Sequence, residues 1–208
     1  MDGVLLMKRL LVFCVLIGIL YTNVICSANA TNPSNSKRRP FEEYYYEFGY
    51  KSVEDAFKEC ENHFHRDLKL PIKLPPVEFT HHFGRFNDLY GETNDGFQVE
   101  FLNEKQSENH YKIKMLPAEH KMNFSNKREV IQTYKLKDGT EAVYLTTPQQ
   151  HGKSLFNLLV FEKNNWQYIL SIDCRIENKV SAKVLVEIAE SVKLTYPAKS
   201  NPLLLNGY

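Results

Sequence analysis

This chain has no surplus of either charge, few cysteines and no local signature of catalysis, and each absence narrows what it does. The 208 residues carry 26 Lys and Arg against 25 Asp and Glu. A domain whose main partner is nucleic acid or an anionic membrane needs a basic excess, so neutrality argues against both. No HExxH occurs, and no Cys/His spacing of the zinc-ribbon type; a zinc site recognisable from sequence needs one or the other. GxSxG, the turn that presents a serine nucleophile, is missing. "HGKS" (151–154) has the end of a phosphate-binding loop, but Thr147 stands where its first glycine belongs and the stretch leads into a strand. No catalytic, cofactor-binding or metal-ligating residue is assigned, and the chain reads as a non-enzyme.

Apolar runs of membrane-spanning length are also missing. Lys8 and Arg9 precede an apolar run from Leu10 to about Tyr21, which Thr22 and Asn23 break. That is short of the roughly 20 residues a bilayer core requires. Ala28-Asn29-Ala30 supplies the small-x-small pattern of a signal-peptidase site. Residues 1–30 therefore read as a cleaved secretory signal ending at Ala30, with an uncleaved signal anchor as the alternative. Met7 fits the start better than Met1, because Asp2 would put an acid into the positive region. A lipoprotein reading of Cys26 fails on Ile25, where a small residue is needed.

Without residues 1–30 the chain keeps 178 residues, with 24 basic and 24 acidic side chains. Residues 31–40, TNPSNSKRRP, form a polar, flexible spacer by composition. Residues 41–197 read as a single domain and 198–208 as a tail.

What is present is alternation. Ser52 to about His65 has helical spacing, with Val53, Ala56, Phe57, Cys60 and Phe64 on one face. "LKLPIKLPP" (68–76) is an extended connector, since its prolines cannot continue a helix. "GFQVEF" and "YKIKM" alternate with period two, as half-buried antiparallel strands do. Two hairpins follow, turning at Asp138-Gly139 and at Asn164-Asn165. A final helix spans about Ser181 to Leu194. The order predicts an α+β fold: an antiparallel sheet of about six strands with an N-terminal and a C-terminal helix packed on one face.

Two cysteines remain after the signal. Cys60 lies on the apolar helix face, and Cys174 on the apolar face of the last strand. A bridge between them would close a loop of about 114 residues, for which chain entropy gives roughly 4–5 kcal/mol. Two separate buried thiols are the alternative. The densest chemistry is in "FTHHFGRF" (79–86), with His63 and His65 upstream. His81 and His82 alternate across a strand, and residues 63 and 65 lie about 200° apart around a helix. The four cannot converge on one ion. "YYYEFGY" (44–50) reads as aromatic cover for a core edge rather than a sugar platform, and Asn123-Phe124-Ser125 matches a glycan acceptor.

The stretch "LLVFEKNNWQYILSIDC", followed by "VSAKVLVEIAESV", and the "LPIKLPP" segment after a helix resemble an uncharacterised extracytoplasmic domain family of Gram-positive spore-forming bacteria (domain of unknown function 4367). The resemblance covers roughly residues 52–194. It implies a curved, lipoprotein-carrier-like sheet, export to the cell envelope, and a binding or interaction role. As implied partners it brings an envelope protein, a peptide or a lipid. A carrier of an acyl chain or peptide between sheet and helices is one alternative, and a metal-dependent or other hydrolase is another. It brings no catalytic residues.

Overall fold

The computed structural model describes residues 39–88, 95–124, 130–147 and 154–192. The chain divides between Arg39 and Pro40, and the described elements all belong to the second unit. The signal, nearly all of the spacer, the tail, most of HGKS and Ser125 of the glycan motif lie outside the described residues.

The second unit contains α1 (Phe41–Glu47), α2 (Val53–Phe64), seven strands and α3 (Ala182–Glu190). The strands are β1 (His81–Asn87), β2 (Gly96–Leu102), β3 (His110–Pro117), β4 (Val130–Lys135), β5 (Glu141–Thr146), β6 (Phe156–Lys163) and β7 (Trp166–Asp173). They form one sheet in the order β1-β2-β3-β7-β6-β5-β4, and every pairing is antiparallel. The α+β class and the antiparallel sheet stand as expected; the strands number seven.

Local chemistry sets the element ends. Ser52 caps α2 by accepting from the Asp55 amide at 3.1 Å, while its hydroxyl donates to Asp55 Oδ2 at 2.7 Å. The predicted helix is there. Asn164 and Asn165 take left-handed φ values of 53° and 62°, which is what a two-residue hairpin between right-twisted strands demands. Gly139 turns the β4–β5 hairpin at φ 88°.

One face of the sheet holds the main core. Phe97, Val99, Tyr111, Ile113, Met115, Leu159, Trp166, Tyr168 and Leu170 are fully buried there, against Val53, Ala56 and Cys60 of α2 and Leu185, Ile188 and Ala189 of α3. Gly84 lets α2 touch β1: a Cβ at this position would lie 2.7 Å from Val53 Cα and 2.9 Å from Ala56 Cβ. The connector after α2 lies along the same core. Trp166 Nε1 donates to the Asp67 carbonyl at 3.2 Å and Tyr168 Oη to the Lys69 carbonyl at 2.8 Å.

Two expectations need correction. The two expected helices, α2 and α3, do share one face, but a third helix lies on the other. α1, which the spacing did not predict, packs on the opposite side, where Tyr45 stacks on Phe83 with ring centroids 4.5 Å apart. Alternation along β1 puts Phe83 on the side away from Gly84 and therefore away from α2. The other correction concerns Cys174, expected on the strand face; of the two open readings of the cysteines, separate thiols are what the structure has, both being free. Cys60 sits on α2, over β1 and β2. Cys174 does not continue β7 but opens a 3-10 turn (Cys174–Ile176), and its thiol donates to Asn157 Oδ1 of β6 at 3.4 Å. The two thiols belong to opposite halves of the sheet, with β3 and β7 between them.

Candidate ligand-binding face

The face bearing α1 is where the unexplained chemistry collects. Residue by residue, the pairing carries one row across all seven strands: Arg85, Gln98, Lys114, Ile169, Val160, Val143, Thr133. The row starts cationic on β1–β3 and turns apolar from β7 onward. Its neighbours divide in the same way, except that Leu116 at the end of β3 joins the apolar side. Glu100, His110 and Lys112 lie on the first three strands, whereas Leu116, Leu145, Leu158, Val160 and Ile169 form a second apolar cluster.

Glu100 is the centre of the polar half. Its side chain is only 7% exposed. Tyr50 Oη donates to Oε1 at 2.5 Å and Gln98 Nε2 donates to the same oxygen at 2.6 Å. Lys112 Nζ lies 3.0 Å from Oε1, and His110 Nε2 lies 3.0 Å from Oε2. Burial alone would raise this carboxyl, but the His110 hydrogen bond, the Lys112 charge and the Tyr50 hydroxyl outweigh it and hold it down at about 2. Burial, reinforced by Glu100, pushes the Tyr50 phenol far above its ordinary range. α1 and its following turn close the cluster from above. Arg85 lies 4.7 Å from the Tyr50 ring centroid, and its Nη1 makes a 3.4 Å contact with the Phe48 carbonyl. Both carboxylate oxygens of Glu100 are thus engaged within the protein.

The apolar half opens into a groove of about 950 Å³. Val143, Val160 and Phe124 supply apolar lining, joined by Met122 and Val130, while Lys121, Glu141, Glu162 and Gln167 supply polar groups. The segment that forms one wall is pinned to β7: the Met122 amide donates to Gln167 Oε1 at 2.8 Å, and Gln167 Nε2 donates to the Met122 carbonyl at 2.8 Å. Lys121 and Glu162 pair at 2.7 Å at the rim. Met122 and Val130 are 43% and 41% exposed, which leaves them available for contact.

The histidines divide as their alternation requires. His82 lies on the core side, stacked on Phe101, whereas His81 lies on the α1 side between Thr80 and Glu42. His63 approaches buried Asp95 at 3.4 Å and packs against Phe86, while His65 ends α2 in a left-handed, exposed conformation. The structure does not bring the four together. Among the described residues no group of three or more His, Cys, Asp or Glu is placed to hold a metal ion. Of the aromatic run, Tyr45 covers Phe83, while Tyr44, Tyr46 and Phe48 remain exposed.

Sequence reasoning missed both the Glu100 cluster and the groove. Gln98 and Glu100 sit on the polar face of an alternating strand, which by pattern alone faces water. They are buried because α1 lies over them, and the only hint was the density of aromatics at 44–50.

Compared with known proteins, the chain matches no family model, no curated protein and no solved structure. Among the described residues no helix is long and apolar enough to cross a membrane.

Proposed function

We propose that the chain is an exported, non-catalytic binding domain of the cell envelope, and that the groove between β4–β6 and the 121–124 segment seats the apolar part of its ligand. The observation that carries this reading is the groove itself: a concave site within the ordinary size range for ligand pockets, lined by both apolar and polar side chains. The secretory pattern of residues 1–30 and the resemblance to extracytoplasmic domains support the location. The side toward α2 and α3 is filled by close-packed aromatics, among them Trp166, Tyr111 and Tyr168, so the carrier alternative moves to the opposite face.

A neutral, environment-sensitive naphthalene dye tests the groove. Val143 is half-buried in its lining, and Val143→Lys puts a charge there. The dye should bind the wild-type chain saturably and at least tenfold more weakly to the variant, with the far-UV spectrum unchanged. Equal binding by both would remove the groove as the site. Turnover on a broad hydrolase panel, abolished by one point mutation, would overturn the non-catalytic assignment.

A further inference from the structure

Counted over the strands alone, the charges on the polar half of this face do not balance; α1 adds the acids Glu42, Glu43 and Glu47. On the α1 side of β1, β2 and β3 stand Arg85, Lys112 and Lys114, and the single acid of those strands there is Glu100. Lys112 is spent on Glu100 at 3.0 Å. Arg85 and Lys114 flank Gln98 directly, one on each neighbouring strand, and both are half-buried. Among the described residues the Lys114 ammonium makes no hydrogen bond and no ion pair. Arg85 makes one long contact, to the Phe48 carbonyl, and its Nε is shielded from solvent with no partner. Half-burying unpaired cations is costly, and like charges held on one face add repulsion. Burial lowers the Lys114 ammonium from its ordinary range, and Lys112 and Arg85 lower it further. Packing under Tyr50, rather than an acid, fixes the guanidinium.

We propose that Arg85 and Lys114 form a binding site for a phosphate-type dianion. Two uncommitted cations match two negative charges. A guanidinium with free N–H groups offers the fork that phosphate oxygens accept, and a lysine ammonium serves as the second point charge. The site is separate from the groove, so each can fail without the other. Their shared row, with Ile169 next to Lys114, also places an apolar surface beside the anion.

Inorganic phosphate titrated into the full chain at pH 7.5, with ionic strength held constant by chloride, tests the site by amide chemical shifts. Saturable shifts are expected in residues 84–86, 97–99 and 113–115. Lys114→Gln should weaken binding at least tenfold. Its melting temperature without phosphate should equal or exceed that of the wild type, because removing an unpaired cation relieves repulsion instead of breaking a contact. A monoalkyl phosphate forms the second arm. Tighter binding with shifts extending to Ile169 identifies a phosphorylated headgroup as the source, and equal binding identifies free phosphate. Linear shifts reproduced by chloride alone, or undiminished saturable binding in Lys114→Gln, would overturn the proposal.

Discussion

At the scale of single residues, Glu100 and Cys60 show opposite ways of living under cover. Glu100 keeps its charge because donors surround it. Its folded value of about 2 lies below the ordinary 4.5, so its stabilisation is complete above pH 4.5 and is lost as pH falls toward 2. The shift is on the order of 3 kcal/mol. Glu100→Gln should therefore lower stability at pH 7 by about that amount, read by urea denaturation, and should flatten the loss that the wild type shows between pH 4.5 and 2. An unchanged acid limb would mean that other carboxylates govern it. Cys60 instead stays neutral: burial pushes its thiol up to about 12. Alkylation at pH 8, resolved by peptide mass spectrometry, should label Cys174 first and Cys60 only as fast as the domain opens. Failure of either to react in denaturant without reductant would reveal a bridge.

Among the elements, α2 and β1 are bound by the narrowest tolerance. Gly84→Ala sets a methyl carbon against the Val53 backbone, and backbone cannot move aside as a side-chain tip can. The expected loss is about 1–3 kcal/mol, measured by thermal or urea melts; a neutral variant would show that α2 can ride higher over the sheet. Elements of this kind were largely legible in the sequence. Ser52 at the cap, the alternation in β2 and β3, and the Asn164-Asn165 and Asp138-Gly139 turns each name their own conformation through short-range chemistry. α1 was not legible, since seven residues provide too little periodicity and its aromatics serve equally as loop cover. Its placement matters more than its length. Putting it on the face away from α2 turns the polar side of β1–β3 from solvent surface into the enclosed Glu100 cluster. The groove was equally hidden, because it depends on where the 121–124 segment folds back onto β7, a contact made by Gln167 from 45 residues away.

For the molecule as a whole, the sheet separates structure from use. One side carries the large aromatic core and two helices, and little there is free to change. The other side carries charge at one end and an apolar groove at the other, with exposed Met122 and Val130 lining the groove. The account's central claim is that this second side binds a ligand. Native mass spectrometry of the chain purified from its own source, under conditions that keep noncovalent complexes, tests it most directly. The wild type should carry a reproducible mass excess that dissociates on gentle activation and is missing from the folded Val143→Lys variant. A wild-type chain that is empty in every preparation, or a Val143→Lys chain carrying the same mass, would contradict it.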